Sequence, residues 1–171
     1  IGISEEECGR KVRYECFEKA KCDVIATAHT LSDSVETFIF NLARGTGSKG
    51  LAGIPATRKP GIIRPLIDCT RSEIEDYCRE NNIEFVTDST NLTDEYKRNH
   101  IRHNVIPELF KINPSVVNSI AKSAEILSEE SDFIEQCAYD LIDKSVDENC
   151  CSTEAFMSVH PAVRKRALRI I

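Results

Sequence analysis

The sequence predicts an α/β domain, built on a parallel sheet covered by helices and followed by an all-helical segment. Three observations lead there. A helical stretch, a β-branched apolar run (Val24-Ile25-Ala26-Thr27-Ala28) and an amphipathic helix follow one another within the first 44 residues, the order that builds parallel sheets with helical cover. From about Tyr96 to the end only helical periodicity remains. A hydrophobic fraction of 41% in 171 residues suffices for one sizeable core.

Each element has a local reason. Ser4 followed by Glu5, Glu6 and Glu7 starts a helix running to about Lys21, with Val12, Cys16, Phe17 and Ala20 as its buried face. Residues 22–28 read as a buried strand and 31–44 as a helix. At about 100° per residue, Leu31, Val35, Phe38, Ile39 and Leu42 share one face of that helix, and Asp33, Glu36, Thr37 and Arg44 the other. Gly45-Thr46-Gly47-Ser48-Lys49-Gly50 lacks the Walker spacing and follows a helix, so it reads as a plain connection. Prolines at 55, 60 and 65 break 51–69 into loops with one strand at Ile62-Ile63. Thr70 with Glu73 forms a capping-box pattern that opens a helix to about Asn81, with Ile74 and Tyr77/Cys78 inward. Ile83–Val86 reads as a short edge strand and 88–94 as a polar loop. A basic helical segment follows over 97–110. Asn113-Pro114 then caps a long helix reaching about Lys144, whose inner face carries Val117, Ile120, Ala124, Leu127, Ala138 and Leu141. The last helix begins near Pro161 and carries Arg164, Lys165, Arg166 and Arg169. A domain boundary falls between 100 and 114, which divides the chain into 1–110 and 111–171.

Composition narrows the function classes. A net charge of −6 argues against a nucleic-acid binder held by bulk charge, although basic residues gather at 10–13, 97–102 and 164–169. With 6% aromatics and no Trp, base-stacking platforms are poorly supplied. Eight cysteines without C-x-x-C pairs or zinc spacing read as small core thiols of a reduced, intracellular protein. No apolar run approaches the roughly 18–20 residues that span a membrane, which predicts a soluble, cytoplasmic location. The chain opens Ile1-Gly2-Ile3-Ser4 without Met, as a processed chain or part of a longer one would.

The residues that invite chemistry lie at 29–37. His29 ends the strand run, and strand ends facing helix starts are where α/β folds collect ligands. Asp33 and Glu36, three apart, are neighbours near a helix N-terminus and repel each other. One reading gives them a Mg²⁺ ion, which takes one or two carboxylates plus phosphate oxygens. The other makes Thr30 a cap, Asp33 its capping-box partner and Glu36 an ordinary solvated acid. Both stay open from the residues alone.

Six phrases, in order and spacing, resemble the tRNA(Ile)-lysidine synthetases of the N-type ATP pyrophosphatase group. They are Glu6-x-x-Gly9-Arg10-x-x-Arg13-Tyr14, Thr27-Ala28-His29-x-x-x-Asp33-x-x-Glu36-Thr37, Leu42-x-Arg44-Gly45-x-Gly47-x-x-Gly50-Leu51, Ile63-Arg64-Pro65-Leu66, Asp88-x-x-Asn91 and Tyr96-x-Arg98-Asn99-x-Ile101-Arg102. The resemblance covers about residues 5–110, and the helical remainder is similar to the small domain that follows. It implies a Rossmann-like catalytic domain that uses ATP and Mg²⁺ to adenylate the wobble cytidine of an isoleucine tRNA. The amine of free lysine then displaces AMP. It further implies Asp33 and Glu36 in the lysine or metal region and His29 beside the nucleotide with Arg10. Arg13, Arg44, Arg64, Arg98 and Arg102 would contact phosphates or the tRNA anticodon loop. A homodimer is left open. His29, Asp33 and Glu36 are expected to converge with the arginines of 10–13 and 98–102 on one hollow.

Two positions depart from the family pattern, which usually has a second His or Asn at Thr30 and an Asp at Ser32. The family's Ser-Gly-Gly-x-Asp-Ser phosphate loop is absent from the 171 residues and belongs upstream of residue 5. The expectation is therefore a fragment, inactive by itself. Two alternatives remain: a related tRNA thiolase, which needs cysteines for sulfur delivery, and a non-catalytic tRNA-binding module.

Overall fold

A computed structural model describes residues 5–19, 22–58, 61–86, 97–147 and 150–171. Its element order is α1 (Glu5–Lys19), β1 (Ile25–Ala26), α2 (Leu31–Ala43), α3 (Ser48–Leu51), β2 (Thr57–Arg58), β3 (Ile62–Ile63) and α4 (Arg71–Glu80). Then follow α5 (Lys97–His100), a π-helical turn (Ile101–Val105), α6 (Ile106–Ile112), the long α7 (Val116–Ser145), β4 (Val146–Asp147), β5 (Cys150–Cys151), α8 (Thr153–Ser158) and α9 (Pro161–Ile170).

The expected parallel pairing is present in small form. β1 and β3 pair in parallel, with Ile25 opposite Ile62 and Ala26 opposite Ile63. β2 joins β3 antiparallel, giving the order β1-β3-β2. The β2 strand and the antiparallel β4–β5 hairpin carry no period-2 signal at two residues each and were not expected from the sequence. Residues 83–86 are not a strand. Val86 is 95% exposed, and none of the described strands lies alongside to pair with it. Residues 87–96, including the expected polar loop, lie outside the described residues.

Helix boundaries follow their caps. Thr30 accepts from the Asp33 N–H while Asp33 returns to the Thr30 backbone, a complete capping box for α2. Thr70 and Glu73 do the same for α4. The 97–110 segment is not one regular helix. Pro107 has no N–H for the His103 carbonyl and its ring would crowd it, and the turn ahead widens so that Ile106 N–H reaches the Ile101 carbonyl.

The core sits on α7. Ala138 and Leu141 pack with Phe156 of α8 and Ala167 of α9, flanked by Ile142, Val163 and Ile170. The same helix also packs on α2 and α3. Arg166 of α9, close to fully covered, donates to Ser131 and Glu135 of α7, and Glu135 also holds Lys49 of α3 at 2.7 Å. Burial corrects several sequence expectations. Two residues of the presumed inner face of α1, Val12 and Cys16, are exposed, while Tyr14 meets Phe17 edge-on and has Arg58 over its ring; Ala20 lies outside the described residues. None of the eight cysteines is fully buried, so they are not core fillers. Tyr77 of α4 points out. On α2, Leu42 is exposed while Glu36, on the supposed polar face, is 2% exposed.

Candidate active site

Two helix N-termini are fastened side by side to make the site. Leu31 N–H donates to the Cys69 carbonyl at 2.9 Å, and Arg71 N–H donates to Ser32 Oγ at 3.2 Å. These bonds dock the start of α2 against the start of α4. α5 and the π-turn then lie against α2 and bring Arg102 over Glu36. Between them, closed by the first turn of α7, is a cavity of about 390 Å³. Ser32, Glu36, Arg71 and Arg102 supply its polar side, and Ile106, Phe110, Pro114 and Val117 form an apolar wall.

The electrostatics centre on one ion pair. Arg102 Nε donates to Glu36 Oε1 at 2.6 Å and Nη2 to Oε2 at 3.0 Å, a two-pronged clamp. The same Nη2 lies 3.8 Å from Asp33 Oδ1. Burial raises the Glu36 carboxyl above its ordinary 4.5; the Arg102 bond and charge oppose that, the Asp33 charge adds to it, and Arg98 weakly lowers it. Glu36 in turn raises the Arg102 guanidinium.

The structure brings together only part of the predicted set. Glu36 and Arg102 line the cavity, Asp33 touches the pair, and the Arg98 charge reaches it. His29 is half-buried just before the α2 cap, its Nδ1 2.9 Å from Thr27 Oγ1, and it does not line the cavity. Arg13 is exposed on α1, away from the lining, and the Arg10 side chain lies outside the described residues. Arg44 is exposed over the Phe40 ring. Arg64 is 5% exposed, donates to the Pro55 carbonyl at 2.5 Å, and its buried Nε has no partner among the described residues. Among the described residues, then, the cavity gathers Glu36 and Arg102, with Asp33 and Arg98 close by, and leaves His29 and Arg13 outside its lining.

The apolar wall had no signal in the sequence, because Ile106, Phe110 and Val117 read as ordinary helix-core positions until α6 and α7 are placed. The acid pair follows the capping-box reading at Asp33 and departs from it at Glu36. Asp33 is the capping-box partner of Thr30, whereas Glu36 is buried and clamped. Of the Gly45–Gly50 stretch read as a plain connection, residues 45–47 connect and 48–50 open the short helix α3, where a Cβ on Gly50 would lie 2.5 Å from Thr46 Oγ1.

Residues 2–109 match the PP-loop domain family, and the chain belongs to that family of α/β nucleotide-binding proteins. More particular likenesses are to tRNA(Ile)-lysidine synthases. The one from Bacteroides thetaiotaomicron is 50% identical across 74% of this chain and 30% of its own length. Those from Caldanaerobacter subterraneus and Clostridioides difficile are 39% and 38% identical, covering 99% and 98% of this chain and 38% of their own lengths. The chain thus spans 30–38% of the length of these curated relatives. ATP use follows from the family. Among the described residues, no helix is long and apolar enough to cross a membrane.

Proposed function

We propose that this chain supplies part of an enzyme that converts the wobble cytidine of an isoleucine tRNA to lysidine, using ATP and free lysine in the cytoplasm. The observation that carries the lysine half is the cavity beside Glu36 and Asp33. An aliphatic ammonium fits a pocket with carboxylates at one end and the apolar wall of Ile106, Phe110 and Val117 along its length. Asp33 Oδ1 is the carboxylate oxygen best placed to accept from that ammonium, being about one-third exposed. Two further hydroxyls, of Ser72 and Ser115, stand at the starts of α4 and α7 and can meet the lysine carboxylate.

The nucleotide belongs at the carboxyl end of β1, beside His29, where a doubly wound sheet presents its ligands. In this reading β1 and β3 are strands of the parallel nucleotide-binding sheet. ATP supplies the leaving group that activates the cytidine oxygen. Arg98, Arg13 and Arg10 serve phosphates or the anticodon loop, and Arg44 is the exposed cation nearest the glycine turn. Mg²⁺ travels on the ATP phosphates. Residues 1–110 form the catalytic part and 111–171 the helical one, meeting in the last turn of α6.

The test is a nuclear magnetic resonance titration of the 171-residue chain with L-lysine and with norleucine, which lacks the ε-amine. Lysine should shift Ser32, Asp33, Phe110 and Asn118 in a saturable way and norleucine should not; equal responses refute the assignment. Labelled lysine, and not labelled sulfide, should enter isoleucine tRNA when the whole enzyme of which this chain is part is supplied with ATP. Sulfide incorporation would move the protein to the thiolase branch.

A further inference from the structure

Two carboxylates three residues apart at a helix N-terminus invite a divalent cation, and such an ion needs carboxylate lone pairs turned toward one point. Three of the four oxygens of this pair are already hydrogen-bonded, and the fourth faces the same guanidinium. Both Glu36 oxygens accept from Arg102, at 2.6 and 3.0 Å. Asp33 Oδ2 accepts from the Thr30 N–H and hydroxyl, each at 2.8 Å. Asp33 Oδ1 faces Arg102 Nη2 at 3.8 Å. Glu36, at 2% exposure, has no room to turn outward and meet an ion. Among the described residues, no group of three or more His, Cys, Asp or Glu side chains is arranged to hold a metal.

We infer that Arg102 is a positioning residue that occupies the place between Asp33 and Glu36 which a divalent cation would otherwise take, fixing Glu36 and closing the pair to metal. Arginine suits this role and lysine does not, because a planar fork meets both oxygens at once and keeps its charge at any working pH. The π-turn is what delivers it. Five residues in that turn rotate Arg102 onto α2, and Pro107 forces the widening. The arrangement is independent of which substrate the cavity takes. It also separates Arg102 from the tRNA-facing arginines with which the sequence groups it.

The experiment compares Mn²⁺ binding to the full 171-residue chain, read as paramagnetic broadening of amide signals, in the native protein and in Arg102→Met and Arg102→Lys. The native chain should show no selective broadening over residues 32–37. Arg102→Met should gain it, with binding at least about tenfold tighter, since one positive charge within contact distance of both acids is gone. Adding Glu36→Gln to Arg102→Met should abolish the gain, and Arg102→Lys, which keeps the charge but loses the fork, should bind the ion more tightly than native and less tightly than Arg102→Met. Selective broadening over 32–37 in the native chain, or a folded Arg102→Met that binds Mn²⁺ no better than native, overturns the inference. Should Arg102→Met not fold, the native chain still decides. Its Arg102 Nε–H signal should be unmoved by millimolar Mg²⁺, and release of that signal by the ion overturns the assignment.

Discussion

Removing Arg102 should turn the most buried carboxylate among the described residues, Glu36, into a buried charge without its partner. Deleting one partner of a buried pair typically costs about 3–5 kcal/mol, and the lower end applies here because Arg102 keeps a quarter of its side chain in water. For Arg102→Met near neutral pH we expect about 3 kcal/mol of lost stability, or roughly 6–12 °C in Tm for a chain of this size. The pH dependence gives the sharper test. Burial already holds the Glu36 carboxyl above 4.5, and losing the Arg102 bond and charge removes the largest opposing influences, leaving burial and Asp33 against the weaker help of Arg98. A carboxyl raised on folding is no burden below its unfolded value, and becomes one as pH climbs through the folded value. The deficit of Arg102→Met should therefore be greatest above neutrality and shrink as pH falls toward 4.5. Urea unfolding at several pH values, with Arg102→Met/Glu36→Gln alongside, reads this directly. The double variant should recover most of the loss at high pH. A deficit that does not change with pH, or a double variant worse than the single, would refute the reasoning.

Four further outcomes follow from particular contacts and backbone positions. Glu135 is held below its usual range, first by Lys49 and then by Arg166, so its contribution is present above 4.5 and fades as pH falls through its folded value. Arg166→Met should cost about 2–3 kcal/mol through lost bonds to Ser131 and Glu135, and the deficit should narrow in acid. Lys49→Met, at a largely exposed position, should cost under about 1 kcal/mol and become silent in high salt. Gly61 has φ +62°, and a Cβ there would lie 2.6 Å from the Asp23 carbonyl. Gly61→Ala should therefore lower stability by roughly 1–3 kcal/mol by thermal melt. The open position Gly9, in α1, should instead gain up to about 1 kcal/mol from Ala.

The sequence by itself determined whatever neighbours in the chain can decide. Capping boxes at Thr30/Asp33 and Thr70/Glu73 depend on atoms three residues apart, and the starts of α2 and α4 fall where those patterns place them. The inner face of α7 is likewise a local periodicity, and Ala124, Ala138 and Leu141 are buried as it requires. Six short phrases in register were enough for family membership, which residues 2–109 bear out.

Only the tertiary structure decided what lies opposite each face. Helical periodicity put Glu36 on the polar side of α2. It is buried because the π-turn covers that side with Arg102, 66 positions along the chain. Arg64 reads as a cation for a polyanion and is enclosed by its own loop, its guanidinium spent on the Pro55 carbonyl. The cysteines read as core, yet five of the eight are exposed, Cys8 and Cys16 of α1 among them, and Cys69, Cys78 and Cys137 are half-buried. Burial and charge pairing are relations between distant segments. A one-dimensional pattern specifies the hydrogen bonds within a turn, whereas which carboxylate meets which guanidinium is chosen when helices dock.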